Sequence, residues 1–400
     1  MKTKWMSIAG GVVLVMGLVA MVNAQTSPDA GTFVDFETLA RKLVTQCAGI
    51  HEGDLVRITG GVRDVELLEN IAVHVRKMGA FPLVTLASDR MRRRMYDDVP
   101  EIYDEQTSEF GVKLASMITA RIHLDYSETE GALAGVPPER IVTVSRANAP
   151  AYDLMLKRRV RQVFIGNDLY PTAERAQLFG VPQEELARIF WNGVNVDYSE
   201  LQSTGEAVRV VLARGSQVHI TDPNGTDLKV SIEDRPVFIS DGVISAEDMQ
   251  RGSAGCLVWL PAGEVFVTPV PGTAEGKVVV ERQLFQGKEI KNLTLSFKEG
   301  KLTSMKAKSG LEPLKKFYDA LGVRKGVFSV IDIGINPNVR LVPDSRMTAW
   351  MTAGMITVGI GDNTWAGGEN NSPFELYNFL VKGTLKVDGK VLVENGVLKP

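Results

Sequence analysis

Histidine is scarce in this chain of 400 residues. The four imidazoles are His51, His74, His123 and His219, so nothing after residue 219 supplies one. That excludes a histidine-built metal centre, or a triad with a histidine base, drawn from the second half alone. Cysteine is scarcer still. The two present, Cys47 and Cys256, are too few for a disulfide framework or a cysteine-rich zinc site. Neither sign of charge dominates, with 45 Lys plus Arg against 48 Asp plus Glu and a formal net charge of −3. There is thus no basic footprint for nucleic acid and no acidic tail. Beyond the N-terminus no run is long and apolar enough to cross a bilayer.

Several catalytic signatures are missing as well. No Gly-rich phosphate loop ends in Lys-Ser/Thr, no Gly-x-Ser-x-Gly elbow occurs, and no His-Glu-x-x-His helix exists. Thr59-Gly60-Gly61-Val62 follows a strand signal but lacks the glycine spacing that admits a pyrophosphate, so it reads as a tight connecting turn. The run Arg90, Arg92, Arg93, Arg94 is followed by Asp97 and Asp98, and reads as a solvated, self-compensated face.

What is there begins with an address. Met1–Ala24 opens with Lys2 and Lys4, runs apolar from Ile8 to Val22 and ends on Asn23-Ala24, the pattern of a secretory signal cut before Gln25. An uncleaved anchor is the alternative. The expectation is an exported bacterial protein, periplasmic or secreted. In that compartment Cys47 and Cys256 either form one disulfide or remain two buried thiols.

With 44% hydrophobic residues, the chain is long enough for a sizeable core and more than one domain. Over 25–205 helix and strand signals alternate. Phe36–Cys47 and a helix capped by Asp64 and running to Met78 accompany strands at Leu55–Thr59 and Phe81–Leu86. Further apolar β-like runs follow at Ile122–Leu124, Ile141–Val144 and Gln162–Ile165. This predicts an α/β domain with a parallel sheet flanked by helices. Over 206–400 the pattern changes to a β-rich, mainly antiparallel domain interrupted by one helix, Leu311–Leu321. Pro223-Asn224-Gly225, Asp388-Gly389 and Asn395-Gly396 punctuate it as turns.

Three acids stand in unusual settings. Glu264 heads the apolar strand in Leu260–Pro269, Asp332 sits inside the apolar run Ile331–Pro337, and Asp362 follows the Gly-rich turn Gly359–Gly361. A carboxylate in such a place is costly unless it meets water, donors or a cation. Glu264, Asp332 and Asp362 are therefore candidate ligands for a hard cation, with ordinary turn and edge carboxylates as the alternative.

These segments resemble the aminopeptidase T family, the thermophilic metallo-aminopeptidases, over most of the chain after the leader. The resemblance is carried by Thr221–Leu228, by Leu260–Pro269 with Ala274-Glu275-Gly276 beyond it, by Gly334–Pro337 and by Gly361-Asp362-Asn363. It implies an N-terminal α/β domain, a β-rich C-terminal domain and a homodimer enclosing the site. It also implies release of N-terminal residues from peptides by paired cations, which polarise the carbonyl and generate hydroxide from water. The implied ligand set is two glutamates, two histidines and an aspartate, and only the first glutamate has its match, in Glu264. Registered on Asn336-Pro337, the second glutamate falls on Val330. Registered on Gly361-Asp362-Asn363, the first histidine falls on Thr357. The later His-x-Asp falls on Leu376-Tyr377-Asn378, which places Leu376 and Asn378 at ligand positions. The histidine count makes the loss of imidazole independent of alignment.

Two readings follow. In one the metal centre is degenerate, no metal is expected, and the protein binds peptides or has another non-catalytic role. In the other a divalent metal (Zn, Co, Mn or Mg) is held by a remodelled site. Asp332 shares a strand face with Val330 at a distance of roughly 7 Å; Asp362, Glu369 and Glu375 are further oxygen donors. Oxygen-rich sites favour Mg²⁺, Ca²⁺ or Mn²⁺ over Zn²⁺. A small-molecule module with a closed apolar pocket is a third possibility. Trp350, Trp365 and Tyr377 are expected in the core.

Overall fold

The computed structural model describes residues 35–129 and 131–399. The signal segment Met1–Ala24 lies outside the described residues. The chain begins with a helix, Phe36–Lys42, whose N-terminus is capped by Asp35 accepting from the Glu37 amide, and which continues into a wider turn over Leu43–Cys47. Together they bury Leu39, Leu43, Val44 and Cys47, the face that the spacing predicts. The next helix, Val65–Lys77, buries Leu67, Leu68, Ile71 and Val75. Asp64 does not cap it as expected. Its carboxylate turns back to accept from the Gly61 amide and from the Tyr170 hydroxyl, a buried demand that outweighs the cap.

The first sheet contains β1 (Leu55–Gly60), β2 (Phe81–Leu86), β3 (Ala120–Leu124) and β4 (Arg161–Ile165), all parallel. Ile141–Val144 is not a strand. It lies in the helix Pro138–Lys157, which opens on a proline at its first position. A four-residue apolar run cannot distinguish strand from helix by periodicity.

The second half supplies the remaining strands: β5 (Gln217–Asp222), β6 (Thr226–Ser231), β7 (Val237–Ser240), β8 (Leu257–Leu260) and β9 (Glu264–Val267). After them come β10 (Glu275–Phe285), β11 (Lys288–Lys298), β12 (Lys301–Lys306), β13 (Phe328–Gly334), β14 (Ile356–Gly361) and β15 (Glu375–Leu380). The chain closes with β16 (Thr384–Val387), β17 (Lys390–Glu394) and β18 (Val397–Leu398). One sheet has the order β12-β11-β10-β6-β5-β16-β17-β18 and another β15-β14-β13-β9-β7, and the pairings within both are antiparallel. The fold is thus α/β with a parallel sheet, followed by antiparallel β structure. Asp388-Gly389 and Asn395-Gly396 each have positive φ at both residues, the requirement of the tight hairpin turns expected there.

Two features join the halves. The helix Tyr198–Arg214 runs through residue 205, and β8 returns to pair in parallel with β4, giving the first sheet the order β2-β1-β3-β4-β8. From β8 the chain turns at Pro261–Gly263 straight into β9 and the sheet β15-β14-β13-β9-β7. Gly263 has a φ of +125°, and a Cβ there would come within 2.6 Å of Asn336, so the turn requires glycine. Cys47 and Cys256 are both free and buried. In the helix Asp89–Asp97 the arginine run is compensated as expected, by Arg93–Asp97 and Arg94–Asp98 pairs. Among the described residues no helix is long and apolar enough to cross a membrane.

Candidate functional site

A cavity of about 730 Å³ opens where the carboxyl ends of the parallel strands face the sheet that carries Glu264. Open α/β sheets place ligands in this crevice. The end of β3 contributes His123 and Asp125, the loop after β4 Asn167 and Asp168, and β8 Trp259. The opposite side contributes Glu264, Asp362, Glu375 and Tyr377. The cavity therefore reaches Glu264 and lies between the two halves, unlike the closed apolar pocket of a simple binding module.

Strand register assigns each candidate to a face. Glu264 pairs with Gly334, Phe266 with Asp332, and Asp332 in turn with Thr357 on β14. Val330 pairs with Gly359, and Gly359 with Tyr377. Side chains alternate along a strand, so Glu264, Phe266, Val330, Asp332, Thr357 and Tyr377 share one face. On β15 the residues that meet the cavity are Glu375 and Tyr377. Leu376 and Asn378 point to the opposite face: Leu376 enters the main core, and the Asn378 amide bonds the Val358 carbonyl.

Glu264 is buried, with one carboxylate oxygen accepting from Asn167 Nδ2 at 2.6 Å. Burial raises its acid, the Asn167 bond works against that, and the Asp168 charge adds to the rise. Asp332 is 1% exposed and its Oδ1 has no partner. Burial holds its acid well above the carboxylate range, with Glu264 adding to the effect. Burial thus biases both acids toward their protonated forms. Opposite Asp332, the Thr357 hydroxyl also lacks a partner.

Asp362 belongs to a different group. It accepts from the Thr364 hydroxyl at 2.9 Å and from the Thr364 and Ser372 amides, the pattern of a turn-forming carboxylate, and burial raises its acid. Its electrostatic neighbour is Glu375, which accepts from the Tyr377 hydroxyl at 2.9 Å. The protein packed around Glu375 pushes its acid up to about 7; the Tyr377 bond opposes this and the Asp362 charge reinforces it. Glu375 is open to the cavity, so water there offsets part of the rise. Of the three predicted ligands, then, the structure brings Glu264 and Asp332 together and sets Asp362 beside Glu375 instead. Glu369 does not line the cavity.

Aromatic rings surround Val330, the position at which the resemblance expects a second glutamate. Val330 is fully buried in a cluster with Phe238 and Phe266, packed by Trp259, Trp365 and Tyr377. Ring centroids of Trp259 and Trp365 lie 5.2 Å apart, and those of Phe266 and Trp365 5.3 Å. Among the described residues no three His, Cys, Asp or Glu side chains are grouped to hold an ion. The donors present do not fit a two-cation centre. Trp350, Trp365 and Tyr377, expected in the core, pack against it and also line the cavity: Trp350 is buried in the main core, and Trp365 and Tyr377 cover the Phe266–Val330 cluster. Asn167 and Asp168 were not singled out from sequence. Their signal was position: both have positive φ and follow directly from the carboxyl end of a parallel strand.

Comparison with known proteins bears on this site. A family model described as "Thermophilic metalloprotease (M29)" matches residues 34–320. The chain is 24% identical over 309 residues to aminopeptidase T of Thermus thermophilus, covering 71% of this chain and 74% of that one. To aminopeptidase T of Thermus aquaticus it is 26% identical over 305 residues, covering 70% and 72%. Among solved structures it is similar to wild-type AmpT from Thermus thermophilus, with a TM-score of 0.70, 19% identity, and 91% and 99% coverage. It is also similar to the 2,5-dihydroxypyridine dioxygenase of Pseudomonas putida KT2440, with a TM-score of 0.60, 14% identity, and 91% and 96% coverage. At these identities the structural likenesses establish the fold alone.

Proposed function

The chain belongs to the thermophilic metalloprotease family, and from that premise we propose that it is an exported, aminopeptidase-T-like protein with a degenerate metal centre. In this reading it binds the amino-terminal end of peptides without two-metal hydrolysis. The observation that carries the reading is the face around Glu264. Val330 lies there among aromatic rings and Thr357 is neutral, where the resemblance expects a glutamate and a histidine. The four positions at which the resemblance expects further ligands, Val330, Thr357, Leu376 and Asn378, lie beyond residue 320 and so outside the family match. Export rests on the leader Met1–Ala24, and the homodimer implied by the resemblance belongs to the same proposal.

The acidic and aromatic side of the cavity suits an ammonium group, although Arg92 and Arg175 line it too and Arg175 Nη1 lies 3.9 Å from Asp168 Oδ1. Asp168, Glu264, Asp362 and Glu375 line it together with Trp259, Trp350, Trp365 and Tyr377. Carboxylates and ring faces both attract an ammonium group, and a peptide's free N-terminus is one. The Asp168 carboxylate is 72% exposed and fixed by the Trp350 indole N–H at 3.2 Å, which makes it the most accessible of these acids.

The pairing of Glu264 with Asp332 favours a second reading, an active hydrolase that uses a carboxylate-held Zn, Co, Mn or Mg ion. Elemental analysis of purified protein, amino-acid release from free-N-terminus peptides under each of these metals, and calorimetry with a tripeptide distinguish the two. Metal far below stoichiometry, no release, and tripeptide binding abolished by N-acetylation are expected. Stoichiometric metal with turnover lost in Glu264→Gln overturns the degenerate-site reading.

A further inference from the structure

Apart from its acidic residues, the cavity is backed by a feature of opposite sign. β1 and β3 pair so that Arg57 lies across from Arg121, and β3 and β4 so that Arg121 lies across from Gln162. The three side chains leave one face of the sheet in a single row, with about 4.8 Å between strands. The next row on that face carries Thr59, His123 and Phe164, and the last two line the cavity. Arg121 Nη2 lies 3.4 Å from His123 Nδ1, and its guanidinium carbon is 5.2 Å from the Phe164 ring centroid. The arginine row is therefore one layer behind the cavity wall.

No described carboxylate answers these charges. Three other enclosed arginines have one: Arg161 with Asp54 and Arg140 with Asp104, both at 2.6 Å, and Arg63 with Asp64 at 3.4 Å. The ionisable groups acting on Arg57 and Arg121, besides each other, are the phenols of Tyr126 and Tyr152. Arg57 Nε and Arg121 Nε have no hydrogen-bond partner, and neither polar atom of the fully buried Gln162 side chain has one. Burial and the neighbouring Arg57 charge lower Arg121 to about 10. Like charges across adjacent strands are destabilising, and so are buried donors left unpaired. Their concentration in one row is the signature of a missing counter-charge.

We propose that Arg57, Arg121 and Gln162 form a binding site for a small oxyanion, seated behind the wall made by His123 and Phe164. Planar guanidinium forks match carboxylate and phosphate oxygens, and the Gln162 amide adds a neutral donor. One oxyanion chemistry has two sources: the terminal carboxylate of a short peptide whose amino end lies among the acids, or a free inorganic anion. The first source rests on the peptide-binding reading; the site itself does not.

The test is calorimetry on the full chain with inorganic phosphate, trialanine and trialanine amide. The variants are Arg57→Gln, Arg121→Gln and, as control, Arg90→Gln on the exposed helix. Arg57 is half-buried, so its variant serves if Arg121→Gln fails to fold, and circular dichroism checks both. Wild-type protein and the control are expected to bind phosphate, and the Arg57 and Arg121 variants to bind it about tenfold more weakly or worse. Preference for trialanine over its amide, lost in both variants, identifies a peptide carboxylate as the natural occupant. Equal binding of acid and amide alongside phosphate identifies a free anion. Phosphate binding with no tripeptide binding refutes the peptide reading and leaves the anion site standing. Wild-type protein that neither binds phosphate nor prefers the acid overturns the proposal, as do variants that bind like wild type.

Discussion

Asp241 offers a measurement of how this fold handles a buried charge away from the cavity. It follows β7, is 8% exposed, and its Oδ1 accepts from the Val243 amide at 3.0 Å. Burial pushes its acid up to about 6; the Val243 bond opposes this, Asp248 adds to it and Arg251 reduces it. Against about 3.9 in an unfolded chain the gap is about two pH units, at about 1.4 kcal/mol each. About 3 kcal/mol is therefore the ceiling on what ionising this carboxyl costs the fold at high pH. Because the folded value is raised, the associated stability is fully present below pH of about 3.9 and is lost as pH rises through about 6. Asparagine keeps the acceptor, suits the local turn and never ionises. Asp241→Asn is expected to stabilise the protein by about 1–3 kcal/mol at pH 8 and by almost nothing at pH 4. The lower bound allows for the amide's own cost of burial. Urea midpoints followed by tryptophan fluorescence at pH 4, 6 and 8 give the comparison. A variant less stable than wild type at pH 8, or a gain equal at pH 4 and pH 8, refutes the reasoning.

Two glycines separate steric demand from chain entropy. At Gly361 φ is +101° and a Cβ would lie 1.8 Å from the Phe374 carbonyl oxygen, whereas at Gly389 φ is +85° with nothing within 4 Å. Gly389→Ala is expected to cost about 1 kcal/mol and Gly361→Ala clearly more, in the same urea assay; equal costs contradict the close approach of β14 and β15. Burial pushes the Cys47 thiol up to about 12 and the Cys256 thiol up to about 11. Both are expected to react with a maleimide only on unfolding; labelling of the native protein at the rate of a free thiol contradicts their placement.

The parts of this molecule that were legible in its sequence are those where local chemistry leaves one solution. Asn395-Gly396 and Asp388-Gly389 require positive φ twice in succession, and they form hairpin turns. Glu264 announced itself as a carboxylate at the head of an apolar strand, and it is buried beside the cavity. What was not legible depends on register between distant segments. Val258–Leu260 reads as a β-rich run, but nothing in those three residues says that its partner is β4. Arg57 and Arg121 each look like the outward residue of an alternating strand; only the pairing of β1 with β3 makes them neighbours. The aromatic residues Trp350, Trp365 and Tyr377 read as core by composition. They do pack against the core, and what composition could not say is that the same rings also form a wall of the cavity.

The same contrast explains how a family likeness outlasts the chemistry under the proposed reading. The motif residues that remain hold backbone. Asn336 Nδ2 bonds the carbonyls of Gly193 and Ala262, the Ile335 amide bonds the Gly263 carbonyl, and Asn363 Nδ2 bonds the Ser329 carbonyl. Gly263 and Gly361 sit where a Cβ would collide with Asn336 or with Phe374. None of these contacts involves a metal ligand, so a change at Val330 or Thr357 leaves them intact. A buried carboxylate is stable only while something answers its charge, and with its cation gone an apolar side chain packed by aromatic rings is the less costly occupant. Under the proposed reading, Val330 packed by the rings of Phe266 and Trp365 is that solution. Glu264 remains tolerable because Asn167 donates to it and burial favours its neutral, protonated form. The resemblance therefore reports the scaffold that shapes the cavity, while the donor set lining it decides the chemistry.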